Sequence, residues 1–256
     1  MNLDSGSKLN RLLAAWFPGK LFFSAWLRKN GYSDQLIQQY RKSGWFTSLS
    51  KGVFIRKNDR PNIFGSLTCF NEQLNKNYYI GAHSALELAG FSHFIPLGEN
   101  PVLMIGHSVN EKIPGWLTKT DFGFQLHFFS STYFHNPVLT TIAQDNYFVK
   151  ISSPEQAFME CLLLAPQHYD LLGLYLIMEQ LATLRPEIIQ NILEQTNNLK
   201  VKRLFLFMAQ KAGHDWFFRI DRQRINLGKG KQQLVKNGVY LSDFLITIPV
   251  ELRDYV

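Results

Sequence analysis

The order of short, separately capped segments in the first 56 residues constrains this chain more than any other feature. Residues 8–17 read as a helix: Ser7 suits the N-cap, Leu9, Leu12, Leu13 and Trp16 recur at helical spacing, and Pro18-Gly19 closes it. Leu21-Phe22-Phe23 is an apolar run short enough to be a brief strand. Ser24 caps a second helix over 25–29, which Asn30-Gly31 terminates. Ser33 is the next N-cap, opening a third helix over 34–43 that Gly44 ends. Two β-prone runs, 45–49 and 52–56, are joined by Ser50-Lys51 into a hairpin with a basic tip. Helix, strand, helix, tight turn, helix and hairpin is the order of a winged helix-turn-helix.

The third helix sharpens that expectation. On a wheel of about 100° per residue, Leu36, Ile37 and Tyr40 fall on one side. Gln35, Gln38, Gln39 and Lys42 lie opposite, with Arg41 at the edge of their arc. Glutamine bonds adenine in bidentate fashion, and arginine or lysine bonds guanine, so this face suits the major groove. The only acidic residue of the helix is the N-terminal Asp34. Lys51, Arg56 and Lys57 on the wing are expected to meet phosphates rather than bases.

Beyond this, Asn58-Asp59-Arg60-Pro61 reads as a hinge, followed by a helix over 62–74. Strands are expected at 78–81, 102–105, 124–129 and 147–151, with a short helix at 84–89. From Pro154 the pattern turns helical, over 155–164, 171–181, 186–194 and 201–212. Two late β-prone runs, 232–235 and 244–248, are expected to return to the sheet. The predicted architecture is mixed α/β: an N-terminal winged helix-turn-helix over 1–75 and a larger mixed α/β domain over 76–256, with the boundary between 58 and 95.

Charge is segregated along the chain. The net charge is +7, yet residues 1–60 hold 11 Lys/Arg against three acidic residues, residues 61–199 hold five against 12, and residues 200–236 hold ten against two. Two basic blocks around an acidic middle point to a polyanionic partner. The two cysteines, Cys69 and Cys161, form no framework of paired spacings and are expected as buried thiols of a reducing cytoplasm. The N-terminus lacks the order of a signal peptide and no apolar run reaches the roughly 18 residues of a bilayer span, so the expected place is the cytoplasm, away from membranes.

Catalytic and metal motifs are missing from the sequence. Gly228-Lys229-Gly230-Lys231 resembles a phosphate loop only in composition. Gly106-His107-Ser108-Val109-Asn110 follows an apolar strand, as a nucleophile elbow would, but lacks the closing glycine. No His-x-x-x-His or Cys-x-x-Cys spacing suggests a metal site, and no Asp-x-Asp pair is present to hold two metals. The residues point to a binding protein, not an enzyme, with no cofactor.

Several stretches resemble the AbiEi family of antitoxins, the DNA-binding partners in bacterial abortive-infection systems. They are Lys8-Leu9-Asn10-Arg11-Leu12-Leu13, Ser24-Ala25-Trp26-Leu27-Arg28, Tyr40-Arg41-Lys42-Ser43-Gly44-Trp45, Ser84-Ala85-Leu86-Glu87-Leu88, Ile151-Ser152-Ser153-Pro154-Glu155-Gln156-Ala157, Val201-Lys202-Arg203-Leu204-Phe205-Leu206 and Leu227-Gly228-Lys229-Gly230-Lys231. They keep one order over residues 8–249. The resemblance implies a type IV antitoxin that represses its own operon by binding inverted repeats in promoter DNA. It also implies a C-terminal domain that counters an AbiEii-like nucleotidyltransferase toxin without a stable complex. For that antitoxic role the expected surface is the second basic block: Lys200, Lys202, Arg203, Arg222, Arg224, Lys229 and Lys231. Two other readings stand beside it. One is a winged-helix regulator with a ligand-sensing C-terminal domain; the other is a DNA-processing nuclease, against which the absence of Pro-Asp…Glu-x-Lys spacing argues.

Overall fold

A computed structural model describes residues 3–14, 16–91 and 101–255, and over them the chain is mixed α/β. The N-terminal elements are α1 (Leu3–Ala14), β1 (Leu21–Phe23), α2 (Ser24–Lys29), α3 (Asp34–Lys42), β2 (Phe46–Ser50) and β3 (Val53–Arg56). The winged-helix order is therefore present, with three local differences. The helix α1 begins at Leu3, ahead of Ser7. Ser24 is the first residue of α2, whose N-cap is Phe23, and its backbone N–H donates to the Gly52 carbonyl at 2.8 Å. The wing turns at Lys51-Gly52, one residue later than its composition suggests. Ser33 caps α3 as expected, its hydroxyl accepting from the Leu36 N–H at 3.2 Å.

The three strands form an antiparallel sheet in the order β1-β3-β2. Strand residues alternate between its two faces, and along β1 and at Val53–Ile55 of β3 both faces are buried. Phe22, Phe46 and Phe54 join Leu12, Leu27, Tyr32, Ile37 and Tyr40 in the small core beneath the helices. Leu21, Phe23, Val53 and Ile55 point the other way, into the main core of the molecule. The helix that covers this second face is α4 (Ile63–Leu74). Its Gln73 completes the edge of β1 that no strand pairs, accepting from the Phe23 N–H at 3.0 Å and donating to the Leu21 carbonyl at 2.7 Å. The same helix packs on a strand of the C-terminal sheet, β8 (Tyr147–Ser152), so the two parts share one apolar core along α4. The expected hinge at 58–61 is pinned: the Gly19 N–H donates to Asp59 at 2.9 Å, and the next residue, Asn62, donates to Asp145 at 2.8 Å.

The second part contains β4 (Tyr79–Ile80), α5 (Ala82–Leu88), β5 (Val102–His107), α6 (Gly115–Lys119), β6 (Gln125–Ser130), β7 (Leu139–Gln144) and β8. Its five-stranded sheet has the order β6-β5-β4-β8-β7, with β5 parallel to β6 and β4 parallel to β8. Helices α7 (Pro154–Leu164), α8 (Leu171–Gln180), α9 (Pro186–Gln195) and α10 (Leu199–Ala212) follow, with α7 packed against the other three. Two 3-10 turns, Asp215–Arg219 and Arg222–Arg224, come next. The late β-prone runs do not return to the large sheet. They build a small one of their own, in which β9 (Gln232–Gln233) and β10 (Val239–Leu241) flank β11 (Ile246–Ile248), followed by α11 (Val250–Asp254).

One buried carboxyl ties this part together. Glu160 on α7 is fully buried and accepts from Tyr79 Oη at 3.1 Å, the Ala82 N–H at 2.8 Å, Ser152 Oγ at 2.8 Å and Gln156 Nε2 at 3.1 Å. These donors sit on β4, α5, β8 and α7. Burial raises its pKa to about 7 despite the four donors, each of which favours the ionised form.

Candidate nucleic-acid interface

The helix-turn-helix is α2, a tight turn and α3, and its angle is set by local groups. Gly31 has φ +83°, a left-handed conformation that glycine adopts without steric cost. Its N–H bonds the Arg28 carbonyl at 3.0 Å, and that of Tyr32 bonds the Leu27 carbonyl at 3.0 Å, closing α2. Arg28 then reaches across to Asp34, Nε to Oδ1 at 2.8 Å, so the one acidic side chain of α3 is paired. Replacing Gly31 by Ala meets no neighbour within 4 Å, so its cost is conformational. We expect a loss of about 1–2 kcal/mol in urea unfolding.

Ile37 and Tyr40 are buried and Leu36 is half-buried, anchoring α3 to the small core. Gln35, Gln38, Gln39, Arg41 and Lys42 are all exposed on one face. Arg41 lies with its guanidinium carbon 5.8 Å from the centre of the Phe54 ring, which keeps it toward the wing. Of the wing cations, Lys51 at the tip and Lys57 at the base are exposed. Arg56 is half-buried, its guanidinium carbon 4.3 Å from the centre of the Trp16 ring, so it is held against the segment that follows α1.

The second basic block is not one surface. Arg203 is 1% exposed and is a structural staple: its guanidinium donates to the carbonyls of Leu227 (3.0 and 2.6 Å), Gly230 (2.7 Å) and Leu245 (2.9 Å). Lys202 is also buried. Lys200 is half-buried, its ammonium donating to the carbonyls of Leu163 and Ala165 at the end of α7. The expectation that these three belong to an exposed face is corrected: α10 is enclosed along 201–209, which holds Lys202 and Arg203 inside, and the ammonium of Lys200 is taken up by the end of α7.

Arg222, Arg224, Lys229 and Lys231 do lie outside. Arg222 rests over Phe244 and bonds Gln210, Arg224 pairs with Glu194 at 2.9 Å, and Lys231 lies over Tyr240. The loop carrying Lys229 and Lys231 keeps its shape through Arg203, a role that no spacing in the sequence announced.

Both cysteines are buried and free. Among the described residues, no group of three or more His, Cys, Asp or Glu side chains is placed to hold a metal ion. Among them, too, no helix is long and apolar enough to cross a membrane.

Residues 5–97 match the family model described as transcriptional regulator, AbiEi antitoxin N-terminal domain. Residues 100–249 match that of transcriptional regulator, AbiEi antitoxin, type IV TA system. No curated protein sequence matches. The crystal structure of the Rv2827c protein from Mycobacterium tuberculosis is similar in fold, with a TM-score of 0.61 at 11% identity over 96% of this chain and 92% of that one. With two family models together spanning nearly its whole length, the chain belongs to the AbiEi family of antitoxins and transcriptional regulators of type IV toxin–antitoxin systems.

Proposed function

We propose that this antitoxin represses its own operon by laying α3 in the major groove of inverted repeats in the promoter. The observation that carries this reading is the single exposed face of Gln35, Gln38, Gln39, Arg41 and Lys42, presented by a capped helix beside the wing tip Lys51. Amide and guanidinium groups there read base edges, while Lys51 and Lys57 meet phosphates. The C-terminal part counters an AbiEii-like nucleotidyltransferase toxin without holding it in a stable complex, and its exposed cations Arg222, Arg224, Lys229 and Lys231 form the antitoxic surface. Repression and protection then rest on different residues of the same chain.

The experiment is a paired assay in cells carrying a promoter–reporter fusion and the inducible toxin. Replacing Gln35, Gln38 and Gln39 by Ala is expected to release the reporter while leaving toxin protection intact. Reversing charge at Lys229 and Lys231 is expected to do the opposite. If both sets abolish both activities in folded protein, the division of labour is wrong.

A further inference from the structure

The structure assigns a second binding site to the C-terminal part: a cavity that takes a nucleoside, held by its base. It lies at the edge of the five-stranded sheet, is a cleft of about 490 Å3 partly open to solvent, and is separate from the winged helix. That volume is within the usual range of small-molecule sites, about 300–1,000 Å3.

One wall is built by register. Val102 on β5 sits beside Gln125 on β6, and Met104 sits beside His127. Positions two apart on a strand share a face, so all four line the cavity together. The facing wall comes from the segment after α7 and the first turns of α8, with His168, Tyr169, Leu174 and Ile177, and His83 on α5 closes it.

The polar groups are arranged as rings rather than point charges. The imidazoles of His127 and His168 stand perpendicular, 5.7 Å between centres, and His83 meets Tyr169 edge to face at 5.5 Å. His83 Nδ1 and Tyr169 Oη are 2.7 Å apart. Burial, with His127 nearby, pushes the His83 imidazole down to about 4, so at neutral pH it is an uncharged hydrogen-bonding ring. Imidazole, phenol and the amides of Gln125 and Gln167 all donate and accept hydrogen bonds.

No lysine or arginine is among the described lining residues, and Asp170 carries a carboxylate at the rim. A phosphate or carboxylate would find no permanent cation there. A flat, neutral ring with donors and acceptors around its edge fits between the aromatic edges and the apolar floor of Met104, Leu174 and Ile177. That is the chemistry of a nucleobase, whose edge donors and acceptors meet imidazole, phenol and amide groups while its faces meet apolar side chains and aromatic edges.

The test is titration calorimetry of the full chain with adenosine, guanosine, cytidine and uridine, and with their 5′-monophosphates. At least one nucleoside is expected to bind at about 0.1 mM or tighter, with its monophosphate no tighter. His127→Ala is expected to weaken it about tenfold, and so is Gln125→Ala. Gln125 is exposed on an edge strand, so this variant stays readable if the histidine variant fails to fold. Silence from all four nucleosides up to about 5 mM overturns the assignment. So does a monophosphate that binds tighter than its nucleoside, or a Gln125→Ala variant of unchanged affinity.

Discussion

Replacing Arg203 by Ala is expected to cost about 4 kcal/mol of stability, a large share of the roughly 5–15 kcal/mol that holds a domain folded. The side chain is enclosed and its partners are the carbonyls of Leu227, Gly230 and Leu245, with no carboxylate among the bonds it makes. Without it, those carbonyls lose their donors and α10 gains a void. Lysine does not substitute, because one ammonium cannot reproduce a planar fork that bonds three carbonyls at once. The urea midpoint of Arg203→Ala should therefore fall sharply, that of Arg203→Lys nearly as far, and trypsin should cut faster after Lys229 and Lys231. An unchanged midpoint would show that the staple contributes little. Charge reversal at Lys200, Lys202 and Arg203 likewise reads out folding before it reads out any surface.

The second large effect is at Glu160, and its signature is in pH. The native carboxyl titrates near 7 against an ordinary value of 4.5. Between those values the unfolded chain ionises while the native state keeps its proton. Glu160 therefore contributes stability that is full below about pH 4.5 and is lost as pH rises through 7. His83 acts in the opposite sense: its imidazole is depressed from 6.5 to about 4, so its contribution is present above 6.5 and lost as pH falls through 4. The two slopes offset each other in the wild type. A Glu160→Gln variant retains the histidine, so the difference between the two proteins isolates Glu160. From pH 5 to pH 8 that difference should move by about 2.5 kcal/mol in favour of the variant. Glu160→Ala should cost about 3 kcal/mol even at pH 5, since buried donors on three neighbouring elements lose their acceptor. A pH-independent difference between wild type and Glu160→Gln would place the native titration at its ordinary value.

What was legible in the sequence was local. Ser33, Gly31 and the spacing of Leu36, Ile37 and Tyr40 place α3 and its polar face because cap, turn and wheel are properties of neighbouring residues. The helices from α7 to α10 follow from Pro154, Pro186 and their apolar periodicity in the same way. Pairing between distant segments was not legible. The strand β7 carries Thr140 and Thr141 and is exposed along much of its length, so its apolar content is too low to mark it. The runs around β9 and β11 look like strands, yet nothing in them says which sheet they join. Arg203 misled for a related reason. A cation beside Lys200 and Lys202 reads as surface, although Leu204 through Ala209 already make α10 apolar nearly all round. A helix of that kind is enclosed, and a cation on it must find partners inside. The cavity lined by His83, His127 and His168 gathers residues from three distant parts of the chain, beyond the reach of any motif.

The central claim is that α3 reads bases and the wing meets phosphates, and a salt titration on two DNAs tests it most directly. The full chain is titrated onto its own promoter and onto a scrambled duplex of equal length, as wild type, Gln38→Ala and Lys51→Ala. The wild type should prefer the promoter by about 10³ or more. Lys51→Ala should weaken both DNAs alike and flatten log K against log salt by about 0.9, since it removes one sequence-blind phosphate contact. Gln38→Ala should cost about 1–3 kcal/mol on the promoter and less on the scrambled duplex. A wild type without preference, or a promoter-to-scrambled ratio unchanged by alanine at each of Gln35, Gln38, Gln39 and Arg41, would contradict the account.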